Sequence, residues 1–231
     1  MTDTLLSDIE NLGILLVDDD AFMLRIIAKV LTDLGFENIS KAENGEQALD
    51  VLNREKIDLL LTDIQMPVMN GLALMKNIRC GNSASSRNLR TIIITSLTNT
   101  ETLGSAMALD VNGFLTKPFK PITVMKTILQ ALSESESDLR PESSYQEVTT
   151  ELSLLEHDDV STNKTEIDAS NSHTVNIHQL QPNMRLTKDV KTKKGVLLLS
   201  AGFVLNNSTI RRLFELGDVI DNSEYHIEHT D

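Results

Sequence analysis

The sequence predicts an α/β protein, a doubly wound five-stranded parallel sheet followed by a second, small β-rich α+β domain. Two observations predict the first part. Through residues 1–132, short apolar runs too short and too β-branched for helices alternate with stretches of helical spacing. The order is βαβαβαβαβα, and strands alternating with helices imply a parallel sheet covered on both faces. A third observation, a change of pattern at residue 173 to short strands and one amphipathic helix, predicts the second part.

The elements follow in order. GILLV at 13–17 reads as the first strand. In AFMLRIIAKVLTDLG, Phe22, Ile26, Val30 and Leu34 recur every fourth residue, Met23 and Ile27 widen the stripe, and Gly35 supplies the helix stop. NISKAE is a weaker strand; IDLLLTDI, TIIITS and GFLTKP are the remaining three. NGEQALDVLNR, NGLALMKNIRC, ETLGSAMALD and ITVMKTILQALSE are the helices that separate and close them. Crossovers in such a sheet are right-handed, and ligands bind beyond the carboxyl ends of the strands. That rule brings Asp18 and Asp19 after the first strand, Asp63 at the end of the third, Thr95 on the fourth and Lys117 on the fifth to one rim.

Residues 133–172 hold 11 acidic and 2 basic residues and are rich in Ser and Thr, the composition of a solvated linker. Within it Tyr145, Val148, Leu152 and Leu155 alternate spacings of three and four, a short heptad-like seam that needs a partner to be stable. Beyond it, HTVNIHQL, MRLTKDVKT and GVLLLSAG read as strands, and YHIEH as a last one. NNSTIRRLFELG reads as a helix started by Asn or Ser and ended by Gly217, with Ile210, Leu213 and Phe214 on one face. The domains are therefore 1–132, a linker 133–172, and 173–231; the last is marginal for an independent core and is expected to lean on a partner or a second copy.

Composition narrows the function. The net charge of −13 comes mostly from the linker, while residues 173–231 carry 7 acidic and 7 basic residues, so no segment has the basic footprint of nucleic-acid binding. No apolar run approaches the roughly 20 residues that span a bilayer, which reads as a soluble, cytoplasmic protein with no membrane partner. The lone Cys80 excludes an internal disulfide and a cysteine zinc site, and suits a small apolar residue at a helix end.

The rim carries the chemistry. In LLVDDD three carboxylates stand side by side, and such repulsion raises proton affinity unless a cation offsets it. Mg2+ takes oxygen ligands from one or two carboxylates and keeps several waters. Asp19 and Asp63 suit that role with Asp18 behind them, and Asp20 faces solvent at the helix start, where it favours the helix dipole. Lys117 offers an ammonium to a phosphoryl oxygen or a paired carboxylate, and Thr95 a hydroxyl. A carboxylate so surrounded is equipped to attack a phosphoryl group. Asp63 is the better nucleophile, since it ends a central strand and precedes IQMPVMNG, where Pro67 and Gly71 shape a loop able to present the Gln65 backbone carbonyl to a metal. Acidic strand ends taken one at a time are ordinary solvated turns; the joint placement is what argues for a site.

Together LLVDDD, LLLTDIQMPVMNGL, IIITS and GFLTKPF, in this order and on these elements, resemble the receiver domain of two-component response regulators over residues 11–132. The resemblance implies the strand order 2-1-3-4-5. It implies Asp63 as the phosphoacceptor from a sensor histidine kinase or phosphotransfer protein, and Asp18 and Asp19 as the acidic metal pocket for Mg2+. It also implies Thr95 and Lys117 as phosphoryl contacts and Phe114 as the aromatic switch. Ser96 stands where the family more often has Ala, so either hydroxyl is available; the spacing from Lys117 favours Thr95. Drawing Thr95 toward the phosphoryl group would let Phe114 turn inward, and the readout face is expected to be the fourth helix, fifth strand and fifth helix.

The output is read from the tail. Leu180, Pro182, Met184, Leu186, Asp189, Val190, Gly195, Leu197, Gly202, Leu205, Ile210 and Leu213 are placed as in a small module that precedes HD-GYP cyclic dinucleotide phosphodiesterase domains. The tail has no adjacent His-Asp pair, no Gly-Tyr-Pro, and histidines (His173, His178, His226, His229) without metal-site spacing. It is expected to be a non-catalytic interaction domain acting on a downstream protein, a phosphodiesterase being one candidate. A DNA-binding regulator and a regulator tied to cyclic dinucleotide turnover are the alternatives; Arg211 and Arg212 suit a solvated helix face better than a DNA reader. A homodimer through the receiver face or the 145–155 seam stays open.

Overall fold

The computed structural model describes residues 11–96, 102–134, 142–152, 172–193, 195, 197–217, 220 and 224–229. In chain order the elements are β1 (Ile14–Val17), α1 (Ala21–Asp33), β2 (Ile39–Ala42), α2 (Gly45–Leu52), β3 (Leu59–Asp63), α3 (Gly71–Arg79) and β4 (Arg90–Ser96). They continue with α4 (Leu103–Ala108), β5 (Gly113–Lys117), α5 (Pro121–Ser133) and α6 (Glu142–Gln146). After them come β6 (His173–Val175), a 3-10 turn (Ile177–Gln179), β7 (Met184–Leu186), β8 (Val190–Lys191), β9 (Leu197–Leu199), α7 (Asn207–Glu215) and β10 (Tyr225–His229). They divide into two compact units, one of Met1–Ser96 with Leu109–Thr150, the other of Leu97–Ala108 with Glu151–Asp231.

In the first unit the five strands are parallel in the order β2-β1-β3-β4-β5, as the resemblance implies. β1, β3 and β4 are central and read as continuous apolar runs because both their faces are covered. Ile14, Leu16, Leu59, Leu61, Ile92 and Ile94 share a core with Leu24, Ile27 and Leu31 of α1 and Val124 and Ile128 of α5. The strand period of two leaves Leu15, Leu60 and Ile93, also buried, for the opposite face. The phase of α1 differs from the expected stripe. Its inner face is Leu24, Ile27, Ala28 and Leu31, while Phe22 is 59% exposed and Ile26 is exposed. The apolar arc of this helix is broad, so spacing alone fits two stripes; the 24/27/28/31 set wins because it is the one that meets the sheet.

Three receiver helices have a side-chain cap at their start. Asp20, Asn44 and Asn70 cap α1, α2 and α3, accepting from the amides of Phe22, Gln47 and Ala73. α1 ends at Leu34, after which Gly35 takes the left-handed φ of +95°. Cys80 is the buried C-cap of α3. The first unit runs past residue 132 to Thr150, because residues 142–150 pack on α3. Tyr145 of the heptad-like seam is fully buried there; Leu155 lies outside the described residues.

The second unit holds a three-stranded antiparallel sheet, β6-β10-β7, and the hairpin β8-β9. α4 lies against β9, where a Cβ on Gly104 would come within 2.1 Å of the Leu197 carbonyl oxygen. Asn206 caps α7, which buries Thr209, Ile210, Leu213 and also Arg212, expected on a solvated face. Phe214, expected inward, is 43% exposed, its ring tilted against His178 with centroids 5.3 Å apart. Thr209 precedes Leu213 by four residues and so shares its face, whereas Phe214 follows it by one and turns away. No helix among the described residues is long and apolar enough to cross a membrane.

Candidate functional site

β1 and β3 are neighbours in register, so the residues that follow their apolar runs emerge at the same rim. Asp18 is buried; its Oδ1 accepts the Asp20 amide at 3.0 Å and its Oδ2 accepts Lys117 Nζ at 3.0 Å. Asp63 accepts Lys117 Nζ on Oδ1 at 2.8 Å and the Gln65 amide on Oδ2 at 2.7 Å. Lys117 ends β5 and reaches past β4 to both acids. Asp19 stands exposed beside them, and Asp20 faces solvent as the cap of α1. Thr95 is buried, its hydroxyl donating to the Ser96 carbonyl at 3.1 Å, while Ser96 is the residue in register with Lys117. Phe114 lies on β5 and is already buried in this structure.

Thus the structure joins Asp18, Asp63 and Lys117 directly and sets Asp19, Gln65 and Thr95 around them. Gln65 touches Asp63 through its amide. Among the described residues no three His, Cys, Asp or Glu side chains converge into a ready-made ion cage.

The charge balance is uneven, one ammonium between two carboxylates. Burial alone would lower the Lys117 pKa, but the hydrogen bonds and charges of Asp63 and Asp18 outweigh it and hold it above its ordinary value. Burial raises the Asp63 pKa; Lys117 and the Gln65 amide oppose this, Asp18 adds to it, and the net direction is upward. One ammonium serves two carboxylates, so the negative charge of the pair is only half compensated. A hard cation with oxygen ligands relieves that imbalance, and two carboxylates, a backbone carbonyl and waters form the donor set it prefers. The residues present fit Mg2+.

The loop after Asp63 is held at both ends. Gly71 donates its amide to the Ile64 carbonyl at 2.9 Å, and Gly45 donates to Met69 at 2.9 Å. A Cβ on Gly71 would lie 2.1 Å from the Asp63 carbonyl oxygen, and one on Gly45 would meet the Met69 side chain at 2.5 Å. Gly71 is therefore required by space, not by backbone freedom. At the tip, the Met69 amide bonds the Pro67 carbonyl at 2.8 Å around Val68, whose φ is +68°. A β-branched residue there is a strained γ-turn, and Val68 is fully outside the apolar pattern that sequence reading uses.

The family model of the response regulator receiver domain matches residues 14–129, half of the chain and every element of the rim. The chain belongs to this family. It is 37% identical over 119 residues to the chemotaxis protein CheY-3 of Vibrio cholerae, covering 52% of this chain and 90% of the relative. It is 37% identical over 106 residues to the chemotaxis protein CheY of Pseudomonas aeruginosa, covering 46% and 84%. Among solved structures, Vibrio cholerae CheY4 is similar at 28% identity and TM-score 0.47, over 52% of this chain and 98% of that one. The receiver domain of a Pseudomonas aeruginosa sensor histidine kinase, solved with a magnesium ion coordinated in its active-site cleft, is similar at 24% identity and TM-score 0.49, over 53% and 98%.

Proposed function

We propose that this receiver accepts a phosphoryl group on Asp63 from a sensor histidine kinase or phosphotransfer protein, and that the state of Asp63 governs a non-catalytic protein-interaction output through the second unit. The observation that carries the reading is the Lys117 ammonium, hydrogen-bonded at 2.8 and 3.0 Å to two buried or half-buried carboxylates it cannot fully neutralise. Membership of the receiver family supports the donor class.

One Asp63 carboxylate oxygen attacks phosphorus in line. The P–O bond forms as the P–N bond of a phosphohistidine breaks, and the electron pair leaves on the imidazole, which takes a proton from solvent. Lys117, already on Asp63 Oδ1, stays with the group as charge moves onto the phosphoryl oxygens. The Thr95 hydroxyl can exchange the Ser96 carbonyl for a phosphoryl oxygen. Mg2+, held by Asp19, Asp63 and the Gln65 carbonyl with Asp18 behind, would supply the charge neutralisation that one lysine cannot. Phosphorylation adds about −1.5 to −2 charge at Asp63.

For the output, the tail's described histidines are dispersed. The His178 ring is tilted against Phe214, and His226 sits near Thr174 and Lys188. The output we propose is docking on a downstream protein, a phosphodiesterase among the candidates, in the cytoplasm. The test is phosphoryl incorporation from acetyl phosphate with Mg2+, read by mass. One phosphoryl group is expected on the wild-type chain, with none after Asp63→Asn or with EDTA. Incorporation that survives both would overturn the reading.

A further inference from the structure

Opposite the rim, at the amino ends of β4 and β5, the first unit has a second built constellation. Arg79 at the end of α3 is buried; its guanidinium donates to the carbonyls of Leu109 (3.0 Å), Leu89 (3.1 Å), Asp110 (3.0 Å) and Arg87. Asp110, held in a left-handed turn at φ +51°, accepts the Tyr145 hydroxyl on its carboxylate at 2.8 Å. The Arg87 guanidinium lies 5.9 Å from the centre of the Tyr145 ring. Tyr145 is thereby an anchor with no exposed surface.

From that anchor the chain runs back along α3. Lys76 Nζ donates to the Val148 carbonyl at 3.0 Å, and Asn70 Nδ2 donates to the Thr150 carbonyl at 2.8 Å. Residues 79, 76 and 70 are successive stations from the end of α3 to its cap. The same Asn70 accepts the Ala73 amide on Oδ1 at 2.8 Å, and it closes the loop that begins at Asp63. One amide side chain therefore holds the helix start with its oxygen and residue 150 with its nitrogen.

We propose that residues 142–150 form a strap with a fixed end at Tyr145 and a releasable end at Asn70 and Lys76, and that loading Asp63 frees the releasable end. The proposal rests on Asp63 being the phosphoacceptor. Both oxygens of Asp63 are already engaged, Oδ1 by Lys117 and Oδ2 by the Gln65 amide. A phosphoryl group on one of them draws Lys117 or the Gln65 amide toward its own oxygens. The loop from 64 to 70 is short, pinned at Gly71 and strained at Val68, so a shift at Gln65 is passed to Asn70 and not absorbed. Thr150 is held by the Asn70 amide and Val148 by the Lys76 ammonium, both through backbone carbonyls, whereas Tyr145 is gripped by Asp110 and Arg87 across the unit. Asn70 is on this view a positioning residue that connects the state of the rim to the chain leading into the second unit.

The experiment is amide hydrogen exchange on the full chain, with and without beryllium fluoride and Mg2+. Bound fluoride is followed by 19F NMR in the same samples. With bound fluoride visible, exchange across 146–152 should rise about tenfold or more while the segment around Tyr145 stays protected. Bound fluoride with unchanged exchange overturns the strap and leaves the phosphoacceptor reading intact; absence of bound fluoride overturns that reading. Asn70→Ser tests the strap without any activator. Serine still caps α3 but is too short to reach Thr150, so exchange across 146–152 should rise in the unloaded protein. If it does not, Asn70 is not the clamp.

Discussion

The two ends of the receiver sheet hold buried charges in opposite ways. At the carboxyl rim one ammonium is divided between Asp18 and Asp63, and Asp63 is left with a raised pKa. At the amino end the Arg79 guanidinium is surrounded by carbonyl oxygens from two segments of backbone, 87–89 and 109–110, in fixed fork geometry. Both ends bury a cation, yet Arg79 meets backbone carbonyls with all three guanidinium nitrogens, whereas the single ammonium at the rim is divided between two carboxylates. The difference separates chemistry from architecture: an under-compensated carboxylate invites an incoming cation or electrophile, whereas a saturated guanidinium fixes the loops around it.

Removing the cation at each end should expose this contrast most sharply. Arg79→Met leaves several buried carbonyls without donors, and should cost about 3 kcal/mol or more in chemical denaturation. Lys117→Met should cost less stability than Arg79→Met, since Asp18 and Asp63 keep the amides of Asp20 and Gln65 as donors, but should abolish phosphoryl incorporation from acetyl phosphate. If the stability losses came out equal, the division between a structural end and a reactive end would fail.

Sequence reading found the rim and missed the other end for a physical reason. Asp18, Asp63, Thr95 and Lys117 each follow or end an apolar run, and a parallel sheet sends all such positions to one side. Nothing comparable marks Arg79, whose partners are backbone carbonyls; any residue can supply those, so no spacing records them. Tyr145 was visible as one apolar position in an acidic stretch, but its partners Asp110 and Arg87 lie in separate loops. The same limit explains the phase of α1. Its composition allows two inner faces, and only the sheet selects Leu24, Ile27 and Leu31. In the tail, strands of two to five residues carry too little periodicity to fix which face of α7 is inward.

A smaller effect tests the reach of the structural end. Tyr145→Phe keeps the ring under Arg87 and deletes only the hydroxyl that donates to Asp110. The expected loss is about 1.5 kcal/mol, that of a hydrogen bond to a charged acceptor. Proteolysis within 142–150 of the folded chain should rise in step. An unchanged stability would mean that packing of the ring, and not the bond to Asp110, anchors the segment.

The smallest effect belongs to the reactive end and depends on pH. The folded state holds the Asp63 pKa above its ordinary value of 3.8, chiefly through burial. Between those two pKa values the folded protein binds more protons than the unfolded chain, so stability falls as pH rises through that window. At neutral pH the ionised carboxylate is thus a cost, and Asp63→Asn should be the more stable protein by on the order of 1 kcal/mol. The advantage should shrink as pH falls through the folded pKa, because the wild-type carboxyl then takes up its proton. Denaturation of both chains at pH 7 and near pH 4 reads this directly. A variant less stable than wild type at pH 7 would mean that Lys117 satisfies Asp63 after all, and the rim would then balance its charges as fully as the opposite end does.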